Sequence, residues 1–216
     1  MQPKLITKWS VDAVLKTIEQ WEDNHNLSPQ KLTWKLAMLM ALTASNRVSE
    51  LSNLDTRFIT KLPDGISFNL TKHRKNRKSN LSPGMVFYSK FPTNKKLCPC
   101  ACMEVYISRT KKVRNQEHDP LFRSYIKPYN PVRGCTISRW ITNCIKEAGY
   151  DVKENQNIGH SARGNSASKA QLMGIPLPDI LKAGEWKSSS TYAKHYYRPD
   201  FNSAYGRNVL STALNN

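Results

Sequence analysis

Apolar residues recur at helical spacing through the first third of the chain. Five of them after Ser10 share one helix face: Val11, Val14, Leu15, Ile18 and Trp21. Ser10 is a suitable N-cap, because its side-chain oxygen can accept a backbone N–H of the first turn. A second helix is predicted from Ser28 and Pro29, and its apolar run from Leu36 to Leu42 indicates that it crosses the core.

The pattern changes after Leu54 to short alternating segments. "GISFNLTK" and "MVFYSK" have the alternation and the aromatic and β-branched content of strands. The turn-rich stretch "HRKNRKSNLSPG" separates them. These segments predict a small antiparallel sheet in an insert at residues 56–91.

Helical periodicity returns in the second half of the chain. The predicted helices are "CMEVYISRTKKVR", "TISRWITNCIKEAGY", residues 161–173, "PDILKAG" and "SSTYAKHYY". Gly149 and Gly174 are suitable stops, since glycine adopts the left-handed conformation that often ends a helix. There are no repeats, low-complexity tracts or flexible linkers, so residues 1–216 are predicted to form one domain. Its fold class is α+β, mostly α, with a small antiparallel β-sheet.

The chain is strongly basic. Its 216 residues contain 33 Lys and Arg against 16 Asp and Glu, a formal charge of +17, and 39% are hydrophobic, which is enough for a core. The segment from Thr60 to Gln116 contributes 13 of the basic residues and two of the acidic ones. The sequence has no run of about 18 apolar residues, the length that a membrane-spanning helix needs. Nucleic acid is therefore the partner that the charge favours.

The cysteines bear on compartment and on metal binding. An odd number, five, without a signal peptide indicates a reducing environment and no disulfide framework. Cys98, Cys100 and Cys102 form "CPCAC", a cluster that could suggest zinc. The spacing differs from the usual two-residue gap, Pro99 stiffens the segment, and no second Cys or His pair follows. No metal site is predicted.

One polar segment has the residues of an anion site. In "GHSARGNSASKAQLMG", His160 and Arg163 lie three positions apart at the start of a predicted helix, so they share a face beside unpaired backbone amides. A phosphate bound there would meet an imidazole, a guanidinium and the positive end of the helix dipole. Taken alone, the pair is more typical of a polar helix end.

Arg47 and a group of late aromatic residues are further candidates. Arg47 follows the apolar run in "TASNRVSEL", where its side chain could point inward to an anion or outward along the surface. "GEWKSSSTYAKHYYRP" presents Trp186, Tyr192, Tyr196 and Tyr197 within one predicted helix. Aromatic residues at such spacing are more often core than catalytic, and Tyr192 is predicted to be core.

The candidates occur in a distinctive order along the chain: Arg47, a lysine in the basic turn, His160, Arg163, Trp186 and a late tyrosine. This order and spacing resemble the catalytic domain of tyrosine recombinases, the phage-integrase-like enzymes. "LTASNRVSEL" is similar to the first arginine box of that family, "GHSARGNSASKAQLMGIPLPDILKAGEW" to the second, and "TYAKHYYRP" to the tyrosine box. "LCP" before a helix and "TISRW" after a Pro-rich loop resemble the DIRS and Ngaro recombinases of eukaryotic retroelements.

The resemblance implies a reaction at a DNA phosphodiester. A tyrosine hydroxyl attacks the phosphorus and leaves a 3′-phosphotyrosyl bond and a free 5′-hydroxyl, with neither a metal nor another cofactor. Arg47 and Arg163 would bind the non-bridging oxygens, and His160 would donate to them or assist proton transfer. Trp186 stands where many relatives have histidine, and it would supply one N–H donor.

The resemblance also implies that a lysine between the second and third strands protonates the leaving 5′-oxygen. Lys72 fits this position best, and Lys75 and Lys78 are the alternatives. The other basic residues of the same turn are expected to contact DNA phosphates. The predicted DNA-binding residues are Arg74, Lys75, Arg77 and Lys78.

The nucleophile is chosen by its distance from Trp186. Many relatives place the tyrosine nine residues on, which here is His195. Retroelement relatives place it ten residues on, which selects Tyr196, with Tyr197 as the alternative.

The resemblance further implies partners and a setting. The expected function is recombination or integration of a mobile element such as a retrotransposon. The partners would be double-stranded DNA and further copies of the chain in a tetramer, with residues 200–216 exchanged between protomers. The core-binding domain that precedes the catalytic domain in this family is expected to be absent. Neither a membrane nor a small-molecule ligand is expected.

Two other functions remain open at this point. A type IB topoisomerase has a related catalytic set and would relax supercoiled DNA. A domesticated DNA-binding module would have lost catalysis. For an active recombinase the expected location is intracellular, in the nucleus if the resemblance to eukaryotic retroelements holds.

Overall fold

The computed structural model describes residues 9–71, 84–114, 118–152 and 158–197, without the side chains of 158–160 and 195. The helices in these ranges are α1 (Val11–Gln20), α2 (Pro29–Thr43), α3 (Val48–Leu51), α4 (Pro99–Thr110), α5 (Gly134–Glu147), α6 (Ile158–Leu172), α7 (Leu177–Gly184) and α8 (Ser189–His195). The strands are β1 (Ile59–Leu62), β2 (Gly65–Asn69) and β3 (Met85–Ser89). The predicted class, mostly helical with a small antiparallel sheet, is confirmed.

The first two helices begin where their caps predict. Ser10 Oγ accepts the N–H of Ala13 at 3.3 Å, and Ser28 Oγ accepts the N–H of Lys31 at 3.2 Å. The apolar run of α2 is buried from Leu36 to Ala41, and α2 packs against α4, α5 and α6 as the predicted core helix. It ends at Thr43, because the chain turns sharply at Ser45, whose φ is 48°. The separate helix α3 follows this turn.

The centre of α2 contains a buried lysine that the apolar pattern did not single out. Lys35 is fully buried, and its Nζ has no hydrogen-bond partner among the described residues. Burial lowers the pKa of its amino group below the ordinary 10.5, because the charged form loses its hydration. An unpaired buried amine is destabilising, since water binds it in the unfolded chain.

Replacing this lysine by methionine, Lys35→Met, is expected to stabilise the protein. A rise in melting temperature of at least about 3 °C is expected at pH 7, since 1 kcal/mol corresponds to about 2–4 °C at this size. The gain should shrink as the pH rises through 10.5, because the amino group then loses its proton in the unfolded chain as it already has in the folded one. Thermal melts at several pH values measure both effects.

The matched control is Lys31→Met, one turn earlier on the same helix. Lys31 is 38% exposed and pairs with Glu147 at 2.9 Å. Exposed ion pairs contribute little, so this variant should melt within about 2 °C of the wild type. An equal gain in both variants would show that burial of Lys35 is not the cause.

The described strands form one antiparallel sheet in the order β1-β2-β3. Phe68 of β2 pairs with Ile59 on one side and with Val86 on the other. The second and third strands were predicted from their alternation. The first was not predicted, because Ile59 is its only residue that is not exposed, so β1 has no apolar face to detect.

The three clustered cysteines have structural contacts. Cys98 is the N-cap of α4, where its Sγ accepts the N–H of Ala101 at 3.4 Å. The Cys100 thiol donates to the Tyr88 carbonyl at 3.1 Å, and burial raises the pKa of Cys102 to about 12. Cys98 therefore caps α4, and the buried Cys100 and Cys102 pack between α4 and the core. No group of three or more potential metal ligands occurs in the described ranges.

A second, smaller apolar cluster lies where α6, α7 and α8 meet. Its buried members are Ala167, Ile180, Trp186 and Tyr192. This cluster supports the candidate site described below.

Among the helices of the described ranges, none is long and apolar enough to cross a membrane.

Candidate active site

Arg163 is the centre of the candidate site. It projects from α6, is 1% exposed, and donates from its guanidinium to the backbone carbonyl of Gly184 at the end of α7. Its Cζ lies 4.5 Å from the Trp186 ring centroid and 5.1 Å from that of Tyr196. A buried guanidinium is costly without such partners, so these contacts fix its position between two aromatic rings.

Trp186 follows α7 through a tight turn. Glu185, with a φ of 49°, caps the helix in the left-handed conformation, and a Cβ at Gly184 would overlap the indole. The indole is 6% exposed, and its centroid lies 4.9 Å from that of Tyr196. Its Nε1 has no hydrogen-bond partner among the described residues. A buried N–H donor without a partner is unusual and is a candidate ligand contact.

The late aromatic residues do not share one helix, so that prediction was wrong. Trp186 precedes α8, which ends at His195, and Tyr196 is its C-cap. The cause is the turn after α7 and the short length of α8. Tyr192 is 2% exposed and its hydroxyl donates to Gln171 Oε1 at 3.0 Å, so its core position is confirmed.

The two alternative nucleophiles have different neighbours. The Tyr196 ring lies beside Arg163 and Trp186, whereas the centroid of Tyr197 lies 6.1 Å from that of Tyr192. The structure thus brings three of the predicted site residues together: Arg163, Trp186 and Tyr196.

Arg47 is held by an acidic residue, Glu50, which was not among the predicted site residues. Its NH1 lies 2.6 Å from Glu50 Oε1, and its backbone N–H donates to Glu50 Oε2 at 2.9 Å. The two side chains are 13% and 10% exposed, which agrees with an inward arginine rather than one lying along the surface. The signal was available, because an acid three residues after an N-cap forms a capping box. The contacts that gather Arg163, Trp186 and Tyr196 do not include Arg47.

The remaining predicted residues fall outside the described side chains. The backbone of His160 belongs to α6, three residues before Arg163, but its side chain is not described. The basic turn lies in residues 72–83, outside the described residues, between β2 and β3 as predicted. The residues concerned are Lys72, Arg74, Lys75, Arg77 and Lys78. Their roles stay predictions.

Helix α6 is tied to the start of the chain by contacts that sequence reasoning missed. Trp9 Nε1 donates to Ser161 Oγ at 3.0 Å, and Asn165 Nδ2 donates to the Trp9 carbonyl at 3.1 Å. Because Ser161 and Asn165 flank Arg163 in the sequence, these bonds hold the turn of α6 from which the arginine projects. No local pattern marks a contact between residues so far apart.

Solved structures of recombinases share this fold. The chain is 17% identical to XerA recombinase, with a TM-score of 0.65, over 99% of this chain and 66% of that one. It is 13% identical to XerH recombinase bound to palindromic difH substrate, with a TM-score of 0.68, over 96% of this chain and 53% of that one. It is 15% identical to a lambda integrase dimer bound to a COC′ core site, with a TM-score of 0.55, over 94% of this chain and 62% of that one. The chain thus spans between half and two thirds of the length of these proteins.

The family is shown by sequence. Comparison with curated proteins gave no significant match. The model of the phage integrase family matches residues 4–203, which contain every candidate site residue from Arg47 to Tyr196. The chain therefore belongs to the phage integrase family.

Proposed function

We propose that this chain is the catalytic part of a site-specific DNA recombinase or integrase of the tyrosine type. It would cleave and rejoin DNA through a 3′-phosphotyrosyl intermediate. The observation that carries the proposal is the contact of one buried arginine, Arg163, with both Trp186 and Tyr196. Attack on a phosphodiester requires a nucleophile, which the phenol supplies. Stabilisation of the charge that develops requires donors, which the guanidinium and the indole N–H supply.

The reaction begins with attack of the Tyr196 oxygen on the phosphorus. The new O–P bond forms as the bond to the 5′-oxygen breaks, and the phenolic proton passes to His160 or to solvent. The 5′-oxygen takes a proton from Lys72, or from Lys75 or Lys78 as the alternatives, and leaves as a hydroxyl. Reversal of these steps by a different 5′-hydroxyl joins the exchanged strand.

Charge on the five-coordinate phosphorus is met by donors from separate elements. Arg163 and Arg47 would bind the non-bridging oxygens, each held in advance by Gly184 O or by Glu50. Trp186 Nε1, which has no hydrogen-bond partner within the part of the chain that the structure describes, would donate to the same group. Donors fixed before the reaction need little reorganisation as charge develops, which is the main source of rate in such sites.

Double-stranded DNA is the proposed substrate. The charge of +17 supports it, and so does the basic segment that contains Arg74, Lys75, Arg77 and Lys78. XerH and lambda integrase, whose fold this chain shares, were solved bound to a palindromic difH substrate and to a COC′ core site, and lambda integrase as a dimer. We propose a homotetramer on DNA, with residues 200–216 exchanged between protomers.

The biological role we propose is integration of a mobile element. The resemblance of "LCP" and "TISRW" to DIRS and Ngaro recombinases supports a retrotransposon, and the reaction would then take place in the nucleus. The whole of residues 1–216 would form the catalytic domain. We propose no metal or other cofactor, because arginine, histidine, tryptophan and lysine side chains are assigned to the charge on phosphorus and to the leaving oxygen.

A suicide-substrate assay tests the proposed function. The protein is incubated with a pool of nicked duplexes of randomised sequence in excess EDTA, so that cleavage releases a short strand and traps the enzyme. A denaturant-resistant complex joined through the DNA 3′-phosphate is expected. Absence of any complex, or a complex joined through the 5′-phosphate, would contradict the proposal.

The same preparation distinguishes the topoisomerase alternative. A supercoiled plasmid is incubated with the protein across a range of concentrations. A recombinase relaxes a plasmid that lacks its target site slowly or not at all. Rapid relaxation at low protein concentration, by protein that sediments as a monomer, would favour a topoisomerase.

A further inference from the structure

The main chain of Tyr196 approaches α6 very closely at Gly164. A Cβ at Gly164 would lie 2.9 Å from the Tyr196 carbonyl oxygen and 3.5 Å from its Cα. The first of these distances is shorter than a side-chain carbon tolerates against a backbone atom. Any other residue at position 164 would therefore displace the backbone that carries the proposed nucleophile.

Ser168, one turn further along α6, lies at the same contact. It is 3% exposed, and its hydroxyl lies 2.9 Å from the Gly164 carbonyl and 3.4 Å from the Tyr196 carbonyl. The last carbonyls of a helix lack partners within the helix, and Tyr196 is the C-cap of α8. The hydroxyl has one proton, so it bridges the two carbonyls in a bifurcated bond whose longer branch reaches the end of α8.

Both contacts are made with the backbone of residue 196 and not with its ring. They fix the angle at which α8 ends, and the ring of Tyr196 then lies 4.9 Å from Trp186 and 5.1 Å from the Arg163 guanidinium, measured to ring centroids. Tyr197, one residue on, packs against Tyr192. The end of α8 thus sets which of the two adjacent tyrosines faces the arginine.

We propose that Gly164 and Ser168 are positioning residues that seat the backbone of Tyr196 and so select it over Tyr197 as the nucleophile. The inference rests on the proposed function, because it assigns the tyrosine that this function requires. Neither residue contacts the DNA phosphate in this account. Their effect is to hold a reacting group within the short distance that attack on phosphorus needs.

The variant Gly164→Ala tests whether Gly164 positions the Tyr196 backbone. Alanine in a helix interior normally stabilises relative to glycine, so any loss of rate would not come from the helix itself. The expected result is a slower single-turnover rate of adduct formation, by about 10- to 100-fold, because small misplacements of a reacting group have effects of this size. The Kd for DNA should stay unchanged, since no phosphate contact is removed.

Ser168→Ala is the second variant, and it serves if Gly164→Ala does not fold. Loss of one hydrogen bond should slow adduct formation by about two- to tenfold with an unchanged Kd. The matched control is Ser166→Ala on the same helix, whose hydroxyl donates to the Arg163 carbonyl at 3.1 Å rather than to Tyr196. This control should react at the wild-type rate.

The outcomes distinguish failure of the proposed positioning role of Gly164 and Ser168 from failure of the proposed function. A wild-type protein that forms no adduct contradicts the proposed function. If the wild type forms an adduct, the positioning role is contradicted when folded Gly164→Ala reacts at the wild-type rate. It is also wrong when Ser166→Ala slows the reaction as much as Ser168→Ala. A rate loss confined to the Gly164 and Ser168 variants, at constant Kd, supports it.

Discussion

Tyr196→Phe is expected to leave DNA uncleaved. The phenylalanine ring keeps the packing against Trp186 and Arg163 but has no oxygen to attack the phosphorus. Removal of the nucleophile from a covalent mechanism lowers the rate by at least about 10⁴-fold, because no other group can form the intermediate. Denaturing gels after incubation with the trapped-substrate pool would show no adduct, while gel-shift assays would show an unchanged Kd for DNA.

Tyr197→Phe is the control for that variant. It removes the same hydroxyl from the next residue, whose ring packs against Tyr192. It should form the adduct at close to the wild-type rate. The opposite pattern, with loss only in Tyr197→Phe, would transfer the nucleophile to Tyr197 and contradict the geometry of the end of α8.

Arg163→Lys is expected to lower the cleavage rate by about 10²- to 10³-fold, the usual effect of removing one preorganised donor from a charge-stabilising site. Lysine retains the charge but has a single ammonium. It cannot bond to the Gly184 carbonyl and at the same time place a flat cation between two rings, 4.5 Å and 5.1 Å from their centroids. Single-turnover cleavage at saturating protein measures the chemical step alone.

Arg109→Lys makes the same substitution on α4, where the arginine is exposed and donates to the Leu27 carbonyl at 2.6 Å. This variant should cleave at the wild-type rate. Thermal melts of both variants are needed, because Arg163 is buried and its replacement can also lower stability. A folded Arg163→Lys protein with wild-type cleavage would remove this arginine from the reaction.

Much of the fold could be predicted because its signals are local. Ser10 and Ser28 cap helices that begin directly after them, and most of the periodic apolar residues of α1 and of the apolar run of α2 are buried. The first strand, Ile59–Leu62, was not predictable, since its exposed side chains have no alternation. Nor was the burial of Lys35, which depends on how other elements surround α2.

The site was predictable in its residue types but not in its supports. The order of Arg47, Arg163, Trp186 and a late tyrosine carried the resemblance, and the structure brings the last three together. The Gly184 carbonyl that holds Arg163 and the glycine that admits the Tyr196 backbone act between different helices. Such contacts depend on packing geometry, which a single sequence does not encode in any local pattern.

The attachment point of DNA on the protein tests the central claim most directly. The trapped adduct is digested with trypsin, and the peptide that begins at His195 is fragmented in a mass spectrometer after nuclease trimming. We expect a nucleotide joined through its 3′-phosphate to the oxygen of Tyr196. A nucleotide on Tyr197 or any other residue, or a 5′-phosphate linkage, would contradict it.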